Sequence, residues 1–171
     1  MINKPVFYLL IFPLAVFSCR QNAKDTFDYR LLQIDTNCVK VFKYDSALYT
    51  FPRFSEPLPL TNDDIKLVDS LLLDAVQKFN QTNSVGLYES FNKQVSIDSF
   101  TIDLTKYKRQ YFPYKDNNGQ KIFQIICFTK TLYNWKEKVY SGGRHGVLSK
   151  FTLRVNLTEK KADEFSIDGF G

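Results

Sequence analysis

Lys121-Ile122-Phe123-Gln124-Ile125-Ile126-Cys127-Phe128-Thr129 is apolar on both sides of a two-residue period. Extended, it puts Ile122, Ile126 and Phe128 on one face and Phe123, Ile125 and Cys127 on the other. A strand that is apolar on both faces belongs in the middle of a sheet. Asp116-Asn117-Asn118-Gly119 just before it is a turn signal, because Asn and Gly accept positive φ. Upstream, residues 106–112 read as extended and stop at Pro113, an edge position for a strand. These two arms predict a hairpin. Further along, Phe151, Leu153, Val155 and Leu157 alternate with Thr152, Arg154 and Asn156, the pattern of a half-buried strand. Thr158-Glu159-Lys160-Lys161 turns the chain, and residues 162–167 return beside it. Shorter strands are expected at 38–43, 95–104 and 135–140. Three prolines make 51–59 a loop.

Helical spacing is clearest after Thr61. Ile65, Val68, Leu72, Val76 and Phe79 share one face, which Leu71 and Ala75 widen. Thr61 or Asn62 can cap it, and Asp63 and Asp64 suit the positive end of the helix dipole. Asn80, Asn83 and Gly86 predict its end. Asp69 and Asp74 fall on the polar side and read as a solvated face. A one-sided helix needs a sheet to cover. The fold class is therefore α+β: one principal helix packed on an antiparallel β-sheet of about five strands, in a single globular domain over residues 30–171.

The front of the chain carries a different signal. One Lys precedes an apolar run from Val6 to Phe17, closed by Ser18 and Cys19. That run has the length of a secretory signal and is too short to span a bilayer. Val16-Phe17-Ser18-Cys19 resembles the lipobox of bacterial lipoproteins, with Phe17 bulkier than that family's usual small residue. The resemblance implies cleavage between Ser18 and Cys19, a diacylglycerol on the Cys19 thiol and an acyl chain such as palmitate on the new amino group. Residues 1–18 are then the signal peptide, and 19–29, polar and without period, a flexible tether. It also implies a cell-envelope location, on the cell membrane or the outer membrane, facing the periplasm or the cell surface. Multiple acyl chains give stable attachment. Lys108-Arg109-Gln110-Tyr111 and the Gly-Gly loop before Phe151-x-Leu153-x-Val155-Asn156-Leu157 are similar to small uncharacterised envelope lipoproteins of Gram-negative bacteria, a likeness that implies no activity.

Removing residues 1–18 takes away Lys4 alone among the charged residues, so the net charge falls from +5 to +4. That mild excess is weak evidence for any partner; an exported compartment argues against nucleic acid and leaves anionic lipid head groups or acidic glycans open. Export permits a Cys38–Cys127 disulfide, while their apolar surroundings equally suit two free thiols. No cysteine spacing fits a zinc site, and no cofactor or metal is expected.

Two stretches are candidate binding surfaces. In residues 106–114, alternation puts Tyr107, Arg109 and Tyr111 on one face, which could stack on sugars or pair with acids if exposed. The plainer reading is an edge strand using its charges against sheet-to-sheet pairing. The second is Ser141-Gly142-Gly143-Arg144-His145-Gly146, where glycines could admit an anion beside Arg144. It lacks the Lys-Ser/Thr of a phosphate loop and the helix that should follow. His145 is the only histidine, and no nucleophile motif accompanies it. No catalytic residue is assigned. The expectation is a membrane-anchored, non-catalytic domain that binds an envelope protein or a glycan. The alternatives are a periplasmic immunity or inhibitor protein and a glycan-acting enzyme built on two carboxylates.

Overall fold

The computed structural model describes residues 34–90, 96–129, 134–142 and 148–168. The signal, Cys19, the tether, Arg144 and His145 lie outside these residues.

One helix packs on one sheet, as the α+β reading expects. The strands are β1 (Val39–Val41), β2 (Glu56–Pro57), β3 (Lys108–Lys115), β4 (Lys121–Phe128), β5 (Lys150–Asn156) and β6 (Lys161–Asp168), with helix α1 at Asn62–Ser90. Their order is β1-β3-β4-β5-β6, and β2 adds to the same edge of β3 as β1. The doubly apolar strand β4 is central. Both hairpins form, β3 with β4 and β5 with β6. The sheet is mixed, because β1 runs parallel to β3.

The edge reading of residues 106–114 is corrected, since β3 is flanked on both sides. Pro113 is tolerated there for a geometric reason. Arg109 N–H donates to Cys38 O at 2.7 Å, and Phe42 N–H donates to Tyr111 O at 2.8 Å. Odd-numbered residues of β3 thus turn their backbone groups towards β1 and β2. Pro113 falls between the stretches paired with β1 and with β2, where a missing N–H costs no ladder bond.

Helix α1 starts in a reciprocal capping box. Asp64 N–H donates to Thr61 Oγ1 (3.1 Å), and Asp64 Oδ2 accepts from Thr61 N–H (2.9 Å). The helix runs ten residues past the expected stop at Asn80. Asn80 does not break it, because its side chain is engaged elsewhere: Nδ2 donates to Ile102 O at 2.9 Å and Oδ1 accepts from Ile102 N–H at 2.8 Å. Thr82, Ser84 and Ser90 donate their hydroxyls to the carbonyls four residues back, as mid-helix hydroxyls can.

Two expected strands are absent. Residues 97–106 instead contain two 3₁₀ turns, Ile97–Phe100 and Leu104–Lys106, capped by Ser96 and Asp103. Those short polar side chains favour turns over ladders. Residues 134–138 form a turn closed by Glu137 N–H and Lys138 N–H on Asn134 O. Buried Gln110 replaces the missing ladder. Its Nε2 donates to Trp135 O (2.6 Å) and Lys138 O (2.7 Å), and its Oε1 accepts from Tyr140 N–H (2.8 Å).

The sheet has a core on each side. Towards the helix, Ile65, Val68, Leu72, Val76 and Phe79 meet Phe123, Ile125, Phe151, Leu153 and Val155. On the far side, Phe42, Phe51, Trp135 and Tyr140 cover Phe112, Ile122, Ile126 and Phe128. Tyr140 lies flat on Phe128, ring centroids 4.1 Å apart. Gly142 leaves room for that ring, since a Cβ there would meet it at 2.2 Å.

Candidate functional site

The far-side core covers only the β1, β3 and near-β4 part of the sheet. Towards β5 and β6 the face is more polar, and a recess of about 610 Å³ opens over it. Its floor includes Gln124 of β4 with Thr152 and Arg154 of β5. Gln124 stands directly opposite Arg154 in the β4–β5 register. One wall is the loop carrying Tyr49, Thr50 and Pro52, and the other end is the β3–β4 turn with Asp116 and Asn117.

Local chemistry fixes each part. The loop closes through Tyr44 Oη, which donates to Ser55 O at 2.5 Å, while Phe51 is buried against Phe112 and Tyr114. Tyr49 remains 73% exposed. Thr50 Oγ1 is buried with no hydrogen-bond partner among the described residues. Arg154 Nη1 meets both carboxylate oxygens of Asp163, at 3.1 and 3.3 Å, and its guanidinium also bonds the Tyr114 hydroxyl. Burial raises the Tyr114 pKa, with Arg154 working against that rise. Asp116 Oδ1 accepts Asn118 N–H and Gln120 N–H at 2.9 Å each, so this oxygen shapes the turn.

A bulge in β6 sets what faces the recess. One extra residue sits between the Arg154–Asp163 and Thr152–Ser166 pairs, and Glu164 there has φ 52°. The added residue flips the alternation. Phe165 therefore stacks on Phe79 and Phe151, while Asp163 stays on the side of Arg154.

The Tyr/Arg face of β3 is not exposed, and that expectation is corrected. Tyr107 is 4% and Tyr111 0% exposed, both in the core beneath the helix. Tyr107 Oη donates to Leu148 O, and burial pushes its pKa up to about 12. Tyr111 Oη donates to Asp69 Oδ1 at 2.5 Å, and Arg109 Nη1 lies 3.7 Å from the same oxygen. Asp69 is thus a helix-to-sheet link as well as a surface residue. Residues chosen for alternation do alternate, but the helix covers their face.

Compared with family models, with curated proteins and with solved structures, the chain shows no match.

Cys38 and Cys127 are both free. Strand β3 separates β1 from β4, so the Cα atoms of the two cysteines stand about two strand spacings apart, roughly 9.5 Å. That exceeds the roughly 7 Å that a disulfide allows between Cα atoms. Burial raises the Cys127 thiol pKa far above its ordinary value, which leaves it unreactive. Among the described residues no group of three or more His, Cys, Asp or Glu side chains could hold a metal ion. No helix among them is long and apolar enough to cross a membrane.

A second, larger groove of about 1010 Å³ lies between the C-terminal half of α1 and β6. Leu71, Ala75, Phe79 and Phe165 line it, with Lys78 and Lys161 among its charged residues.

Sequence reasoning missed the sheet-face recess. Its one signal was Gln124, a polar residue in a strand otherwise apolar on both faces. Arg154 and Thr152 were visible as the polar face of β5, but nothing local showed that Tyr49 would stand over them.

Proposed function

We propose that this chain is an envelope lipoprotein, acylated at Cys19, whose domain binds an envelope component without transforming it. The lipobox-like Val16-Phe17-Ser18-Cys19 supports the anchor. The observation that carries the binding reading is the polar recess, with Tyr49 exposed above Gln124, Thr152 and Arg154. Its strong polar groups are largely engaged with one another: Arg154 with Asp163 and Tyr114, and Asp116 with its own turn. Such a surface can hydrogen-bond and stack. A carboxylate-dependent enzyme needs two acids free to face a substrate, and Asp116 Oδ1 is committed to backbone N–H groups.

The immunity or inhibitor reading has one observation in its favour. Strand β6 ends the sheet among the described residues, and the groove beside α1 borders it. An extended segment of a partner protein could add to such an edge.

Membrane fractionation tests the anchor. The full chain should sediment with membranes, and Cys19→Ala should move it to the soluble fraction. Retention of Cys19→Ala on membranes would refute acylation as the anchor.

A further inference from the structure

We infer that the recess over β4 and β5 takes a neutral saccharide, with a sugar ring on Tyr49 and its hydroxyls on the polar floor. This rests on the binding reading above and names its ligand class.

Three observations lead there. The first is the charge balance of the lining, where Lys150 and Arg154 are matched in number by Asp116 and Glu164. Arg154 is further compensated by Asp163. An acidic glycan or a phosphate would meet no net positive field. The second is the kind of polar group present. Gln124 and Asn117 carry amides, and Thr152 and Thr50 carry hydroxyls, all of which both donate and accept. Sugar hydroxyls need that dual capacity. Thr50, in the same lining, has an Oγ1 with no partner of its own among the described residues. The third is Tyr49, whose exposed ring offers a flat apolar surface at the rim. The C–H face of a pyranose fits such a ring. A volume of 610 Å³ lies within the usual range of small-ligand sites. The larger groove beside α1 has more apolar than amide or hydroxyl lining and suits a sugar less.

The experiment uses the full chain in a detergent with no sugar head group. It is titrated calorimetrically with N-acetylglucosamine trimers, maltotriose and a sulfated oligosaccharide. At least one neutral trimer should bind with a 1:1 endpoint. Tyr49→Ala should weaken it by about tenfold or more. Tyr49→Phe, which keeps the ring, should restore most of the affinity, and Gln124→Ala should also weaken it. Thr82→Ala, in the other groove, should change nothing. No binding of either neutral trimer by a chain with a native circular-dichroism spectrum overturns the inference. Binding indifferent to both Tyr49→Ala and Gln124→Ala, or confined to the sulfated sugar, also overturns it. Hydrolysis of a bound trimer would keep the saccharide and refute the non-catalytic reading. Capture of an envelope protein lost in Tyr49→Ala, with no sugar bound, would keep the binding reading and refute the saccharide.

Discussion

Gln110 shows how one side chain can take the place of a strand. Its amide satisfies two carbonyls and one N–H of the 134–140 segment, all next to the far-side core. Gln110→Leu keeps the volume and removes all three bonds. Each buried polar group left without a partner costs about 1–3 kcal/mol. Chemical denaturation should therefore show a loss of at least about 3 kcal/mol, and a loss below 1 would mean the segment repacks without it. The same residue explains a misreading. Trp135 to Tyr140 carries the aromatic content of a strand, but its partner is a side chain twenty-five residues earlier, and no local pattern reveals that. Tyr107 and Tyr111 were misplaced for a similar reason. Period-two spacing tells which residues share a face of β3, and only the position of α1 tells which face is covered.

At the level of elements, helix α1 was legible where its apolar stripe is regular and illegible where polar residues continue it. Asn80 is a stop signal by propensity, overridden by its two bonds to Ile102. Leu72, fully buried in the middle of the stripe, should cost about 2–5 kcal/mol as Leu72→Ala. Thermal or urea unfolding measures this, and a cost under 1 kcal/mol would mean that the stripe is not core. The helix start is also tied to the sheet, because Lys121 Nζ bonds Asp64 Oδ1 at 2.9 Å. Burial alone would raise the Asp64 pKa, but hydrogen bonds from Lys121 and Thr61 outweigh it and hold the carboxyl below its ordinary value. The folded state therefore binds this proton less readily than the unfolded chain. The resulting stability is fully present above about pH 4 and is lost as pH falls through the depressed folded value. Asp64→Asn should flatten the acid limb of a stability–pH curve below about pH 4. An unchanged slope would show that the link contributes nothing.

At the scale of the whole molecule, the two faces of the sheet divide the work. The helix and the aromatic lid bury most of it, and the β5–β6 side of the far face stays open under the Tyr49 loop. The central strand, both hairpins and the α+β class follow from alternation and turn chemistry. The recess does not, because segments distant in sequence make it: a proline-rich loop and the β3–β4 turn close over the floor of β4 and β5, beside the bulged strand β6. The proposed lipid anchor rests on the first nineteen residues alone. Acylation at Cys19 would decide which molecules the recess can meet. Mass spectrometry of the mature N-terminus tests this most directly. The expected species begins at Cys19, carries a diacylglyceryl group on the thiol and has lost residues 1–18. A chain that begins at any other residue, or a Cys19 without lipid, would contradict the envelope-lipoprotein account.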